Sequence, residues 1–573
     1  MLRRIVPALW RYPRIKLEAL GLSWRRVIFD LAGAYVLVGK LRAYSAAPSY
    51  LQWIQRTDVI SDRDRLAIAC DIGRMTLPPR FMLLVAAPGG AAGLERTLAS
   101  LRDQLYRNFE VCVLMPGQDD SFRLDQANGT YVAMLRAGDV LREHALYWMA
   151  RVVSDSPEVG LVYSDEDRLD VNGARSDPRF KPDWSPELLR STNYIGQLAI
   201  CRAEVLVAVG GVRASDIFGD NHDLLLRVSE KLPPECIVHV PAVLIHRCAG
   251  QETGGAVDAI QAHLKRCGVG GAVEGAGRYR IRYDLPKGWP LVSIMIPTRD
   301  GLDLLERCID SIMHKSSYQN FEIIVVDNQS EEPGTLDYFG RINDGQKIRV
   351  LHYDAPFNYS AINNFAAAEA RGEVLCLLNN DTEVISTDWL EEMLGHLVQD
   401  RVGGVGAKLY YPDGRVQHAG DLVGVGGVAN HAHAYLHRDD PGYCNRAAVA
   451  QDISAVTAAC MLTWRKLYLE LGGLDEAHLP VAFNDVDYCL RVREAGWRVV
   501  WTPYAELYHH ESVSRGKDLS PEKMKRAIRE VTYMRKRWKD VLQHDPYYNP
   551  NLSYERADFS LSHAPMVERP WRR

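Results

Sequence analysis

Pairing signals for cysteine are missing: the 573-residue chain has 11 cysteines but no Cys-x-x-Cys, so the usual spacings of zinc ribbons and dithiol redox sites do not occur. Single cysteines such as Cys376 and Cys489 fall in apolar runs, as buried thiols do in a reducing cytoplasm. No apolar run approaches the roughly 20 residues of a bilayer-spanning helix, and no small-residue cleavage site of a secretory signal follows the amino-terminal apolar part. A P-loop is absent, as is a Gly-x-Gly-x-x-Gly at a strand-to-helix turn, which removes the main support for ATPase or NAD-dependent chemistry. There is no excess of basic charge either; 68 Lys and Arg stand against 73 Asp and Glu, and a net charge of -5 makes no whole-chain case for a nucleic-acid partner.

What is present is ordinary for a globular protein, 47% apolar and 25% charged, in a chain too long for one core. Residues 1–45 are the exception. Nine basic side chains there oppose Glu18 and Asp30, a net of about +7. With Trp10, Trp24, Phe29 and Tyr35 interleaved, the segment fits either a seat on an anionic membrane surface or a helical extension with a solvated basic face.

The order of elements repeats. Strand patterns at Phe81–Ala86, Glu110–Leu114 and Tyr131–Leu135 alternate with helical ones, and from Pro290 the plan begins again with Leu291–Ile296, Phe321–Val326 and Val374–Leu378. This alternation predicts parallel sheets. The divisions expected are a basic helical region at 1–80, a first α/β domain at 81–250, a linker at 251–289 with a short helix near Ala256–Arg266, a second α/β domain at 290–518, and a carboxyl-terminal helix and tail at 519–573. That last helix is expected from a Ser520 cap to about Leu542.

In the second copy, polar residues fall at the carboxyl ends of successive strands, where open α/β sheets bind ligands. Pro297-Thr298-Arg299-Asp300, Asp327-Asn328 and Asn379-Asn380-Asp381 would share one rim, with Asp381 a hard ligand suited to Mg²⁺ or Mn²⁺ bound together with phosphates. Farther on, Asn484 and Asp485 open a helix on which Asp487 and Arg491, four apart, can pair. His509 and His510 are adjacent, and strand neighbours point opposite ways, so one of them at most faces the rim. The histidines of Gln417-His418-Ala419-Gly420 and His431-Ala432-His433 invite a zinc reading, but no cysteine or carboxylate completes a ligand set at a familiar spacing, which favours an acceptor-side loop.

The series Ile-Pro-Thr at 296–298, Val-Asp-Asn at 326–328, Leu-Leu-Asn-Asn-Asp at 377–381, Phe-Asn-Asp-Val-Asp at 483–487 and His-His-Glu-Ser-x-Ser-Arg-Gly at 509–516 resembles the family 2 glycosyltransferases. With Tyr163–Asp167, Phe180–Trp184 and Asn193–Gly196 of the first copy, the chain is similar to tandem glycosyltransferases of bacterial O-antigen and related polysaccharide assembly. The resemblance implies an α/β protein of two tandem GT-A domains, Rossmann-like nucleotide-diphospho-sugar transferase folds, with helical extensions at both ends. It implies a nucleotide-sugar donor (UDP-, dTDP- or GDP-linked), a lipid-linked glycan acceptor, no nucleic acid, inversion at the anomeric carbon, and a divalent cation, Mg or Mn. Pro297, Thr298, Asp300, Asp327, Asn363, Asn379, Asn380 and Asn484 would bind substrate, Asp381 and His509 the metal, and Asp485 would be the general base. Asn379 departs from the family's Asp-x-Asp, keeping only its last carboxylate, and Asn484 stands where many relatives carry Glu.

The first copy lacks most of this. Ala86–Gly90 replaces Ile-Pro-Thr-Arg-Asp, Leu114-Met115-Pro116 replaces Val-Asp-Asn, Arg136-Ala137-Gly138-Asp139 replaces the metal motif unless the register slips by one, and Asn221 takes the place of the base. A first domain that binds glycan or braces an active second one is expected. The alternatives are a non-catalytic glycan-binding scaffold, or a polymerase with both domains active. A cytoplasmic location, peripheral at the inner membrane face through the basic amino terminus, goes with the leading reading.

Overall fold

The computed structural model describes residues 47–88, 93–116, 130–170, 172–248, 256–285, 287–510 and 521–572. The basic segment, Gly89 and Gly90, the Ser520 cap and residues 511–516 lie outside them. Two short helices, Tyr50–Thr57 and Asp62–Ile72, lead in, each opened by a serine whose hydroxyl takes the third helical amide while that residue's side chain returns the bond.

The first domain holds β1 (Arg80–Ala86), β2 (Phe109–Leu114), β3 (Thr130–Arg136), β4 (Val140–Leu141), β5 (Leu161–Leu169), β6 (Arg175–Arg179), β7 (Ala199–Arg202) and β8 (Ile237–Cys248). Its sheet order is β2-β1-β3-β7-β5-β8-β4, with β6 beside β5. Next come the helix Val257–Arg266 and a hairpin of β9 (Gly271–Gly275) and β10 (Tyr279–Tyr283). The region expected as a linker therefore carries a small sheet of its own. Its tyrosines and arginines reach both neighbours: Tyr283 donates to Glu187 (2.6 Å) and Arg282 to Asp388 (2.8 Å).

The second domain contains β11 (Val292–Thr298), β12 (Phe321–Asp327), β13 (Ile348–His352), β14 (Val374–Leu378), β15 (Thr382–Val384), β16 (Val402–Tyr410), β17 (Val416–His418), β18 (Asp421–Val423), β19 (Ala429–His431), β20 (Gln451–Asp452), β21 (Cys460–Trp464) and β22 (Arg498–His509). Its main sheet runs β13-β12-β11-β14-β21-β16-β22-β15, the first domain's order with β13 added at one edge. β11, β12, β13 and β14 are parallel, but β21 runs antiparallel to both β14 and β16, as β7 does to β3 and β5. The parallel sheet expected from alternation is thus a mixed sheet. Strand-helix alternation cannot register individual reversed strands such as β21 and β15.

β14 shows why its five apolar residues form a strand. Val374, Cys376 and Leu378 enter the core on one face of the sheet, Leu375 and Leu377 the core on the other, and all five are buried. Each such side chain is worth on the order of 1.5–3 kcal/mol of transfer free energy, so the strand is anchored from both sides and its polar continuation is held at the rim. A separate cluster joins the domains, combining Trp53, Phe180 and Val243 with Leu422, Val425 and Ala432 and with Tyr548, Leu552 and Phe559 of the tail. The last long helix, Pro521–Arg537, stops short of Leu542, and the chain continues as a turn at Val541–Gln543.

Candidate active site

Rim positions are set by strand register. Thr298 pairs with Asp327 at the ends of β11 and β12, and Asn380, just beyond β14, donates from its amide to the Thr298 hydroxyl (2.9 Å). Asp327 is 4% exposed; one carboxylate oxygen accepts from the Ser330 amide (2.9 Å) and the other lies 3.1 Å from His352 Nδ1. Pro297 is half-buried on β11. Asp300, with φ 50°, uses Oδ1 to accept from the Glu331 and Glu332 amides (2.8 and 2.9 Å), so it braces two rim loops against each other.

Beyond β14, β15 returns antiparallel to the end of β22, pairing Thr382 with His509. This brings the buried Asp381 carboxylate to His509, Oδ1 to Nε2 3.1 Å. Gln417 Oε1 accepts from His509 Nδ1–H (2.7 Å), which leaves Nε2 as the lone-pair nitrogen, and Asn379 Nδ2 approaches it at 3.2 Å. Strand alternation turns His510 the other way, to Glu383 (3.3 Å).

A carboxylate oxygen and an imidazole lone pair converging at 3.1 Å have the donor chemistry a divalent cation needs. Adjacent ligands about 2.1 Å from one ion lie roughly 3 Å apart. Asp381 and His509 therefore fit the metal the resemblance implies, whereas Asn379, at the position of the family's first carboxylate, turns Nδ2 to His509 and accepts from the Tyr359 hydroxyl with Oδ1 (3.1 Å).

Asp485 is second in the helix Asn484–Glu494, whose cap residue Phe483 is left-handed at φ 60°. Such a conformation in a bulky residue costs on the order of 1–3 kcal/mol and persists only where surrounding contacts impose it. Here Glu530 accepts from the Val481 and Ala482 amides (3.0 and 3.2 Å) just upstream. Asp485 accepts from the Ala458 amide (3.0 Å) and from Val486 (2.9 Å). Burial pushes its carboxyl above the ordinary value, and the charge of Asp421 adds to the rise; the two amide bonds pull it back without winning. Asp487 pairs with Arg491 (2.8 Å), as the spacing predicts.

Two of the predicted polar residues lie inside the fold. Asn363 is fully buried in the helix Tyr359–Glu369 and donates to the Tyr359 carbonyl (2.9 Å). Asn484 donates to Ser360 Oγ (3.0 Å), and its carbonyl oxygen accepts from the Asp485 amide (2.8 Å). Sequence reading missed the segment that ties the site together. Thr457 donates its amide toward His418 (3.4 Å), Ala458 donates to Asp485, and the Ala459 carbonyl accepts from the Asn379 amide (3.1 Å). Three small consecutive residues carry no chemical signal of their own. The sequence argument against a histidine ligand set is also overturned, because Asp421 joins His418 and His431 in space and its carboxylate lies 2.7 Å from His431 Nδ1.

The repeated fold lets the first domain be aligned by geometry. Arg227 pairs with Asp223 and donates to the Val209 and Gly211 carbonyls just as Arg491 pairs with Asp487 and donates to those of Leu471 and Gly473, which sets Asn221 opposite Asp485. β4 pairs Val140 with His246 as β15 pairs Thr382 with His509, so Asp139 occupies the place of Asp381. The one-residue slip considered from the sequence is thus the register observed. The surroundings differ. His246 turns to Asp167, while Asp139 accepts from the Cys248 amide (3.2 Å) and is pushed up to about 6 by burial.

Residues 293–434 match the family model described as Glycosyl transferase family 2. An "Uncharacterized protein y4gI" of Sinorhizobium fredii is 43% identical over 78% of this chain and 51% of its own length, and an "O-antigen biosynthesis protein RfbC" of Myxococcus xanthus 39% identical over 76% of this chain and 35% of its own. The chain thus spans about half or less of these relatives. A crystal structure of GalNAc-T7 with UDP, GalNAc and Mn²⁺ has a TM-score of 0.36 at 16% identity, over 44% of this chain and 50% of that one. The match to glycosyl transferase family 2 thus lies within the second domain and takes in the strand ends β11, β12 and β14 that form its rim.

Proposed function

We propose that the second domain moves a hexosyl or deoxyhexosyl group from a nucleotide sugar to a growing bacterial surface polysaccharide, with inversion, and that the first domain no longer transfers sugar. The observation that carries the reading is the convergence of Asp381 and His509 at 3.1 Å on the strand rim, joined through Thr457–Ala459 to a half-buried carboxylate of raised pKa. Asp327 and Thr298 would take the base and ribose, and Asn380, already bonded to Thr298, the sugar side. Asp381 and His509 would hold Mg²⁺ or Mn²⁺, which when bound neutralises charge on the departing nucleoside diphosphate. Asp485 removes the proton of the acceptor hydroxyl as that oxygen attacks the anomeric carbon from the face opposite the leaving group. The raised pKa suits this role, because a base nearer neutrality takes up the proton more readily. For the first domain, an asparagine at the base position and a histidine committed to Asp167 support a bracing part.

The relative assigned to O-antigen biosynthesis supports a lipid-linked glycan acceptor, and with it action at the inner membrane face. Among the described residues no helix is long and apolar enough to cross a membrane.

The test is a thermal-shift and donor-hydrolysis screen of UDP-, dTDP- and GDP-sugars with and without Mn²⁺. Metal-dependent stabilisation and hydrolysis with one nucleotide class are expected in the wild type and in Asp139→Ala, and neither in Asp381→Ala or the nearly isosteric Asp381→Asn. Loss in Asp139→Ala with retention in the Asp381 variants would move the activity to the first domain. A folded protein inert to every donor would support the scaffold.

A further inference from the structure

Three potential ligand atoms meet beside the proposed base. His418 Nδ1 and His431 Nδ1 are 2.9 Å apart, His431 Nδ1 and Asp421 Oδ1 2.7 Å, and His418 Nδ1 and Asp421 Oδ1 3.7 Å. A triangle with these sides has a circumradius of about 1.9 Å, so a point about 2.0–2.1 Å from all three atoms lies just out of their plane. That is the bond length of imidazole nitrogen and carboxylate oxygen to zinc. A hydrogen-bond account fits worse, because His431 Nδ1 carries at most one hydrogen and is offered to both the Asp421 oxygen and the His418 nitrogen.

The fold builds this arrangement. His418 ends β17, Asp421 begins β18 and His431 ends β19, with Asp421 and His431 paired across the hairpin. Gly420 permits the turn: its φ is 88°, and a Cβ there would stand 2.1 Å from Ile453 Cδ1. Asp421 is 3% exposed and His418 1%, whereas the His431 side chain is 42% exposed. Among the described residues no lysine or arginine forms an ion pair with Asp421; its charge partners are the two histidines. The other cluster of similar composition, Glu230, His263 and Cys267, differs in this respect, since Arg266 already forks onto Glu230 at 2.7–2.9 Å.

We propose that His418, Asp421 and His431 form a binding site for a divalent transition metal of the zinc class, separate from the Asp381–His509 pair, with these three as its ligands among the described residues. Thr457 N stands 3.4 Å from His418 Nε2, the nitrogen that carries the ring hydrogen once Nδ1 binds an ion, and the neighbouring Ala458 amide bonds Asp485, so an ion here would set the loop that positions the proposed base. The site stands on its own ligand geometry, whether or not the second domain transfers sugar.

The test strips the full-length protein with a chelator and titrates it with Zn²⁺, following bound metal per chain by elemental analysis, and with Co²⁺, following visible ligand-field absorption. One equivalent with submicromolar affinity is expected in the wild type, in Asp381→Ala and in Cys267→Ser, and at least tenfold weaker binding in Asp421→Asn and His431→Ala. The exposed His431 makes its variant the one expected to fold without difficulty, as circular dichroism would verify. Wild-type affinity in a folded His431→Ala protein would overturn the proposal. So would the absence of a bound equivalent in the wild type, which would return the cluster to a hydrogen-bonded chain.

Discussion

Asp485 concentrates the consequences of burial in one side chain. The helix amino terminus and two amide donors favour its charged form, yet desolvation and the Asp421 charge outweigh them. A raised carboxyl pKa means that proton acceptance fails as pH falls through it, so the acid limb of kcat/KM should lie above the ordinary carboxylate range. Asp485→Asn should lower turnover by roughly 10²–10⁴ while leaving donor KM nearly unchanged, and should abolish that limb; steady-state pH profiles of the two proteins check both. Wild-type turnover in the variant would remove Asp485 from the mechanism. At this scale the motif letters located Asp327, Asp381, Asp485 and His509, whose side chains reach the rim. Asn484, in the Phe-Asn-Asp-Val-Asp motif, and Asn363, outside any of them, spend their amides on Tyr359, Ser360 and the backbone. A letter in a motif carries the residue type and not the direction in which the chain presents it.

Helix Pro521–Arg537 bears on the proposed base through protein contacts. Its buried Glu530 accepts two amides ahead of left-handed Phe483, and just beyond it Trp538 donates to Asp487 (2.9 Å). The helix thereby holds the conformation that presents Asp485. Removing the Glu530 acceptor leaves two amides unpaired at about 1–3 kcal/mol in all. Glu530→Ala should therefore lower stability by that amount in urea titrations and reduce kcat severalfold, with donor binding by calorimetry unchanged. Loss of donor affinity equal to the loss in kcat would show that the helix supports the nucleotide side instead. A capping serine and a Lys- and Arg-dense segment made this helix legible. Its partner did not follow, because helix docking depends on long-range packing.

For the whole molecule, the binding motifs of the first domain turn out to be joints. Asp165 accepts from Asn549 of the tail (3.0 Å) and lies 2.9 Å from His239, whose other ring nitrogen is 3.0 Å from Asp183; Asp183 is in turn 3.0 Å from His544. Burial disfavours the His239 charge, but Asp165 and Asp183 prevail and raise it to about 9. A histidine raised in the folded state stabilises fully below its unfolded value of about 6.5 and loses that contribution as pH rises through 9. Folding stability, followed by thermal unfolding, should accordingly fall by roughly 3 kcal/mol between those values, and His239→Gln should flatten that slope. An unchanged slope would assign the pH dependence elsewhere. The duplication, the strand ends and the rim carboxylates were determined by the sequence alone, because apolar period and strand-terminal polarity are local properties of the chain. The reversed strands, the seat of Asp139, the histidine–aspartate cluster and the tail bound across both domains were decided only by tertiary structure. The strands, Asp139 and the tail join residues far apart in the chain, and the cluster, though only 3 to 13 residues apart, needs the Gly420 turn and the β18–β19 pairing to bring its ligand atoms together.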